Sequence, residues 1–156
     1  MPRASEQPYP PIEDYGLLGD CHSVALVSRC GSIDWCCMPR LDSPSVFGRL
    51  LDWENGGCFL VAPAAGEWEV ERRYRGASLI LETRFRGAGG EALLTDAFAM
   101  RGGGRETPRH QLLRLVEGVA GEIALRVELR PRFEYGAAKP WIRRHADGFF
   151  TLMAAS

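Results

Sequence analysis

The densest group of chemically capable side chains lies in the segment 34–45, which reads Asp-Trp-Cys-Cys-Met-Pro-Arg-Leu-Asp-Ser-Pro-Ser. It brings two carboxylates, an indole and a guanidinium to the end of an apolar run. Carbohydrate sites use these groups, because an aromatic face covers the apolar side of a sugar ring while charged groups bind its hydroxyls. Two carboxylates can also act as the general acid and base of glycoside hydrolysis. The candidate site residues are Asp34, Trp35, Arg40, Asp42 and Ser43.

The same side chains also have a purely structural interpretation. Arg40 can form an ion pair with Asp42 or Asp34, Trp35 can anchor a core, and Asp42-Ser43 can cap a helix. A sequence does not separate a catalytic carboxylate pair from an ion-pair network. A structural or docking role for this segment is therefore favoured over catalysis.

Three further tryptophans, Trp53, Trp68 and Trp141, could in principle form a platform on which sugars stack. Each of them lies among apolar neighbours or at the edge of a strand pattern. Packing in a core or on a sheet face is therefore the favoured interpretation.

Motifs for cofactors and metals are absent from the sequence. It contains no Gly-x-Gly-x-x-Gly, no phosphate-binding loop, no His-Glu-x-x-His and no Gly-x-Ser-x-Gly. The five cysteines form no Cys-x-x-Cys pair and have no histidine at zinc-finger spacing, and the three histidines are scattered. We expect no cofactor and no metal.

Charge and hydropathy exclude two classes of partner and indicate a compartment. Nineteen basic and twenty acidic residues give a net charge of −1, which is not the electrostatic pattern of a nucleic-acid-binding domain. No run of about 18 apolar residues is present to cross a membrane. An odd number of cysteines and a polar, proline-rich start without a secretory signal predict reduced thiols in the cytoplasm.

Two elements would position the segment 34–45. The apolar runs 22–28 and 33–38 flank the turn 29–32 and predict a β-hairpin. Ser43 resembles an N-cap followed by Pro44 at the first helical position, and apolar residues then recur at helical spacing. These signals predict one short helix near 44–52.

The remaining sequence alternates with a period of two. Predicted strands cover 68–74, 79–86, 92–100, 111–117, 123–130 and 148–153, with a loop at 101–108. Short strands separated by glycine-rich turns, with charged residues on one face, predict an all-β protein built as an antiparallel β-sandwich.

Domain organisation follows from the same pattern. Residues 1–11 form a proline-rich leader and residues 12–156 form the sandwich. A strand at 148–153 needs a pairing partner, and a partner further downstream would be missing. We therefore expect a sandwich that is truncated at its C-terminal side.

Ordered motifs along the chain resemble one known family. They are residues 12–20 (IEDYGLLGD), 31–35 (GSIDW), 39–47 (PRLDSPSVF), 70–74 (VERRY), 81–85 (LETRF), 116–118 (VEG) and 129–136 (LRPRFEYG). The chain resembles the N-terminal domain of bacterial glycoside hydrolase family 15, which contains glucoamylase-like and trehalase-like proteins. The resemblance spans nearly the whole chain.

The resemblance implies a fold, a partner and an activity. In this family a large, supersandwich-like β-sandwich precedes a six-plus-six helical barrel, which would be the partner domain. The catalytic acid and base are glutamates of that barrel, and hydrolysis inverts the anomeric carbon. No residue of this chain therefore inherits a catalytic role. α-Glucans or trehalose are the implied sugars.

Two functional hypotheses follow. In the first, the chain is a non-catalytic N-terminal sandwich that packs against the catalytic barrel, and residues 34–45 supply the docking contact or the rim of the substrate site. In the second, the chain is a stand-alone carbohydrate-binding or interaction module.

Overall fold

A computed structural model describes residues 9–100 and 109–154, and its regular structure is almost entirely β-strand. The loop predicted at 101–108 and most of the leader lie outside the described residues. In chain order the strands are β1 (Tyr15–Gly19), β2 (Val24–Ser28), β3 (Ser32–Cys37), β4 (Ser45–Gly48), β5 (Cys58–Pro63), β6 (Trp68–Tyr74), β7 (Leu81–Gly87), β8 (Gly90–Phe98), β9 (Leu112–Gly121), β10 (Leu125–Arg130), β11 (Pro140–Arg144) and β12 (Phe150–Ala154). Two single 3-10 turns cover Ile12–Asp14 and Glu134–Gly136.

The strands form two main antiparallel sheets. The first has the order β1-β2-β3-β5-β10, with β4 also paired to β3. The second has the order β6-β7-β8-β9, and β11 pairs with β12 as a separate hairpin. The prediction of an all-β antiparallel fold is confirmed. Among the described residues no helix has the length and apolar character needed to cross a membrane.

The hairpin predicted at the start of the chain is confirmed as β2 and β3. Its turn needs glycine, because Gly31 has φ +81° and an added Cβ would lie 2.3 Å from the carbonyl oxygen of Val61. That carbonyl belongs to β5, so the turn packs tightly against the neighbouring strand.

The helix predicted near 44–52 is wrong. Residues 45–48 form β4, which pairs with β3 through Cys36↔Phe47 and Trp35↔Gly48. Phe47 is buried in the core, whereas Leu51, which a helix would place on the same face, is largely exposed. Pairing with β3 and burial of Phe47 outweigh the local capping signal.

The six strands predicted from alternation are each present, as β6, β7, β8, β9, β10 and β12. Strands β1, β5 and β11 were not predicted. The strand near 148–153 finds its partner upstream, since β12 pairs with β11 through Trp141↔Met153. One edge of β12 is thus paired with β11, so on that edge the strand needs no partner from further downstream.

The core fills the space between the two main sheets. One cluster gathers residues of β1 to β4 with Leu81 and Phe98, and a second joins Val61 to Phe85 and Leu94. A buried arginine ties the sheets together. Within the second sheet, the Arg114 Nε donates to Asp96 Oδ1 at 2.8 Å. The same guanidinium donates to the carbonyl oxygens of Gly31 and Phe59 on the opposite sheet, at 2.8 and 2.5 Å.

Candidate functional site

Asp34 is fully buried and is the extra residue of a β-bulge in the pairing of β2 with β3. Its carboxylate accepts hydrogen bonds from the Ser32 hydroxyl at 2.5 Å and from the Tyr15 hydroxyl at 2.9 Å. Burial raises the pKa of Asp34, although the two hydroxyl donors act in the opposite direction. Burial also raises the pKa of Tyr15, and the neighbouring Asp34 carboxylate adds to this shift.

Arg49 covers the Asp34 carboxylate on its remaining side. One Nη atom lies 3.7 Å from the carboxylate and 3.5 Å from the thiol sulfur of Cys58. The guanidinium lies over the indole of Trp53, 3.9 Å from the ring centroid. Asp34 is therefore enclosed by its own protein and does not face a substrate.

Trp35, the next residue of β3, projects from the outer face of the first sheet. It pairs with Leu26 on β2, and Leu26 pairs with Leu17 on β1. The residues next to these leucines, Leu18 and Ala25, are buried in the core, so alternation turns Leu17, Leu26 and Trp35 outward. Trp35 is half-buried and is not the core anchor that the sequence allowed.

Tyr135 extends this apolar row. Its ring centroid lies 6.2 Å from that of Trp35, and its backbone N–H donates to the Ser45 hydroxyl at 3.1 Å. Glu134 and Tyr135 both adopt positive φ, at 53° and 58°. Non-glycine residues keep this strained conformation only when their surroundings impose it. We refer to Leu17, Leu26, Trp35 and Tyr135 as the outer-face row.

Arg40, Asp42 and Ser43 share one exposed turn after β3. The Arg40 guanidinium binds the Asp42 carboxylate through two hydrogen bonds, of 2.9 and 3.1 Å, and these bonds lower the pKa of Asp42. Both side chains are about 70% exposed (70% and 71%). The Ser43 hydroxyl accepts the Arg40 N–H at 3.2 Å, so Ser43 caps this turn and not a helix. An open depression beside the turn also includes Cys21, His22 and Leu41.

The structure therefore divides the predicted site into three parts. Asp34 is enclosed, Trp35 lies on the outer face, and Arg40, Asp42 and Ser43 form the exposed turn. Asp34 and Asp42 do not form a carboxylate pair open to a sugar, because one is enclosed and the other is bound to Arg40. Within residues 9–100 and 109–154, no three histidine, cysteine or acidic side chains converge as metal ligands.

Tyr135 contacts Trp35 but is not among the candidate residues that the sequence indicated. Its contact with Trp35 spans 100 positions in the chain and carries no local pattern. The three other tryptophans do not form a joint platform. Trp53 lies under Arg49, Trp68 packs edge-on against Phe85 at 5.4 Å, and Trp141 is exposed on β11.

These features define a class: an antiparallel β-sandwich domain with an apolar row on the outer face of one sheet and with its central carboxylate enclosed. Comparison with known families is more specific. Residues 5–155 match the family model described as "Trehalase-like, N-terminal", and the chain belongs to that family.

Curated relatives agree with this assignment. The trehalase of Mycolicibacterium smegmatis is 40% identical over 142 residues, which cover 82% of this chain and 21% of that protein. The trehalase of Mycobacterium tuberculosis is 38% identical over the same shares of both chains. Trehalase 1 of Sulfolobus acidocaldarius is 36% identical over 93% of this chain and 24% of its own length. The chain thus spans about a fifth of these relatives, and no solved structure matches it.

Proposed function

We propose that this chain acts as the non-catalytic N-terminal β-sandwich domain of a trehalase-like glycoside hydrolase, with α-glucoside hydrolysis carried out by a C-terminal helical barrel. The observation that carries the proposal is the family membership over residues 5–155. The enclosure of Asp34 and the ion pair of Asp42 support it, since neither carboxylate is free to act as acid or base. The names of the relatives favour trehalose as the sugar.

The outer-face row, together with the turn of Arg40, Asp42 and Ser43, is the proposed surface that packs against the catalytic region. Apolar side chains on the solvent face of a sheet are typical of interaction surfaces. Tyr135 is 50% exposed, and its strained backbone holds it against Trp35. The two aromatic rings are therefore already fixed in place, so a partner that binds them does not have to order these side chains.

A hybrid enzyme tests the proposal. The region of the M. smegmatis trehalase that aligns with this chain is replaced by this chain, and trehalose hydrolysis is measured. We expect an active hybrid. A soluble, folded hybrid that hydrolyses no trehalose would contradict the proposal.

Substitutions in the hybrid test the docking surface. Trp35→Ala and Tyr135→Ala should lower the thermal midpoint of the hybrid more than they lower that of the isolated chain. Tyr9→Ala is the matched control, because Tyr9 is 45% exposed, close to the 50% of Tyr135. Equal shifts in the hybrid and in the isolated chain would remove the outer-face row as the docking surface.

The second candidate function is a stand-alone carbohydrate-binding module, and the Trp35–Tyr135 pair favours it. The two rings are tilted by 34° with their centroids 6.2 Å apart, and aromatic faces of this kind stack on pyranose rings. Titration calorimetry of the isolated chain with trehalose and maltooligosaccharides tests this function. Saturable heat that Trp35→Ala abolishes without unfolding would support it, and no heat with any glucan would exclude it.

We also propose a cytoplasmic location. Cys36, Cys37 and Cys58 are buried free thiols, which suit a reducing compartment. Fractionation of cells that express the protein tests this location, and recovery of the protein outside the cytoplasm would contradict it.

A further inference from the structure

Within residues 9–100 and 109–154, the core-facing side of β10 is largely uncovered at Val127 and Leu129. Val127 lies directly opposite Val61 on β5, and Leu129 lies directly opposite Phe59. Opposite residues of an antiparallel pair project to the same face of the sheet. Val61 is 3% exposed within the core, yet Val127 is 65% exposed and Leu129 is 42% exposed. The first sheet therefore reaches beyond the layer that covers it.

The neighbouring edge of the second sheet shows the same change from buried to open. Val116 on β9 pairs with Leu94 of the core, but it is 47% exposed. β9 pairs with β8 along one edge, and its other edge is the end of the sheet. The outward residues Leu113 and Leu115 are also exposed and apolar. β9 is ten residues long, and no strand of the described residues pairs with its other edge.

The edge strands β1 and β6, at the opposite ends of the two sheets, are protected against further pairing. At β1, the Tyr74 hydroxyl accepts the Leu17 N–H at 2.8 Å and donates to the Leu17 carbonyl oxygen at 3.0 Å. At β6, the outward residues Glu69, Glu71 and Arg73 are charged and exposed. Charges and blocked backbone groups are devices that prevent strand addition.

We propose that the free edge of β9 binds one β-strand from the polypeptide that follows this region in a full-length trehalase-like enzyme, and that the added strand covers Val116, Val127 and Leu129. This inference rests on the proposed function. The relatives supply the occupant, since the region matched by this chain is 21% of the M. smegmatis trehalase and the remaining four-fifths or so are available to it. Residues 122–124 alone join β9 to β10, so the connected ends of the two strands lie close together.

The chemistry of the edge specifies the strand. Its inward residues must be apolar at alternate positions to pack on Val116, Val127 and Leu129. Its outward residues face Leu113, Leu115 and Glu117. Glu117 forms no ion pair within the described part of the chain, so a basic residue is expected opposite it.

Amide hydrogen exchange in two proteins tests the added strand. The isolated chain is compared with the hybrid in which it replaces the aligned region of the M. smegmatis trehalase. We expect amides of β9 that point away from β8 to exchange about tenfold or more slowly in the hybrid. Amides of β6, which lies outside the proposed docking surface, serve as the internal control and should keep their rates. Equal β9 rates in the two proteins would overturn the inference.

A pair of substitutions makes the same comparison by stability. Val127→Lys should leave the thermal midpoint of the isolated chain unchanged and should lower that of the hybrid, together with the protection of β9. Ile12→Lys is the matched control, because Ile12 is 75% exposed on the 3-10 turn before β1 and should change neither protein. A hybrid that tolerates Val127→Lys as well as Ile12→Lys would contradict the inference.

The two proposals fail separately. Slow β9 exchange in a hybrid that hydrolyses no trehalose overturns the proposed function and keeps the added strand, whereas an active hybrid with fast β9 exchange overturns the added strand alone.

If the hybrid is insoluble, the chain is mixed with the separately expressed C-terminal part of the M. smegmatis trehalase. The result expected is then slow β9 exchange in the mixture, and unchanged exchange overturns the inference. A dimer of the isolated chain that itself protects β9 would assign the edge to a second copy and would also overturn it.

Discussion

The two sides of the sandwich treat their exposed strand edges in different ways. On one side, Tyr74 blocks the backbone of β1 and charged residues line β6. On the other side, β9 and β10 present apolar residues that belong to the core-facing rows. The first arrangement is typical of a sheet edge that faces water, and the second is typical of an interaction surface. We refer to them as the closed side and the open side.

The change from buried to exposed core-facing residues lies within β9. Arg114 is buried and binds Asp96 together with two carbonyl oxygens of the opposite sheet, whereas Val116, two residues later, is half exposed. One strand is therefore anchored at its first half and open at its second. This comparison teaches that burial, and not residue type, decides what each side chain contributes.

The largest expected effect on stability is at Arg114, the residue that anchors β9 to the first sheet. Arg114→Ala leaves the buried Asp96 carboxylate without its donor and removes one donor each from the carbonyl oxygens of Gly31 and Phe59. It should lower the free energy of unfolding by about 3–5 kcal/mol. Urea denaturation measures this loss. A loss below about 1 kcal/mol would show that β9 does not depend on the anchor.

Asp34→Ala is expected to cause the second-largest loss of stability. It removes the acceptor of the Ser32 and Tyr15 hydroxyls and leaves Arg49 without its enclosed partner. We expect a loss of about 2–4 kcal/mol in urea denaturation. Asp34→Asn keeps the shape and one acceptor oxygen and is the control, with a smaller loss. Equal stability of Asp34→Ala and the wild type would contradict the enclosed role of this carboxylate.

The two cross-strand partners Val61 and Val127 test the open side directly. They lie opposite each other on β5 and β10, but only Val61 is covered. In the isolated chain, Val61→Ala should cost about 2 kcal/mol, and Val127→Ala less than about 0.5 kcal/mol. Similar losses at both positions would show that β10 is already covered.

The pH dependence of Asp34 gives a smaller effect. Burial raises its pKa in the folded chain above the unfolded value near 3.8, so the folded state holds the proton more tightly. Stability contributed by this proton is therefore present at low pH and is lost as the pH rises from about 3.8 through the raised pKa. Each unit of separation corresponds to about 1.4 kcal/mol.

The measurement is the difference in the free energy of unfolding between the wild type and Asp34→Asn across this acid range. It should change in favour of the wild type as the pH falls. A difference that is independent of pH would contradict the raised pKa.

The smallest effect is expected at the exposed turn. Arg40 and Asp42 have the same paired chemistry as Arg114 and Asp96, but water reaches both side chains. Arg40→Ala should change the free energy of unfolding of the isolated chain by no more than about 0.5 kcal/mol. Thermal denaturation checks this, and a loss comparable to that of Arg114→Ala would remove the distinction between the two ion pairs.

The sequence predicted those parts of the fold whose signals are local. Alternation located six strands, and the hairpin around Gly31 followed from its turn residues. The helix predicted near 44–52 was wrong. Its capping signal at Ser43 and Pro44 is local, whereas the pairing of β4 with β3 that replaces the helix depends on a separate strand. Alternation also predicted the strand that holds Val127 and Leu129, but only the tertiary structure shows that these two side chains are exposed.

The candidate site was predicted in part. The sequence selected Asp34, Trp35, Arg40, Asp42 and Ser43, and the pairing of Arg40 with Asp42 was among its structural alternatives. It did not separate Asp34 from Trp35, because Asp34 is enclosed by Tyr15 and Arg49, and these contacts have no local pattern in the sequence. Tyr135 was missed because the pleat of β3 and the strained turn at 134–136 bring it to Trp35 from far along the chain.

Trehalose hydrolysis by three proteins tests the central claim most directly: the isolated chain, the M. smegmatis trehalase without its aligned region, and the hybrid that joins them. The account predicts that the isolated chain is inactive, that the truncated enzyme has lost most of its activity, and that the hybrid recovers it. Hydrolysis of trehalose by the isolated chain, or a folded hybrid no more active than the truncated enzyme, would contradict the account.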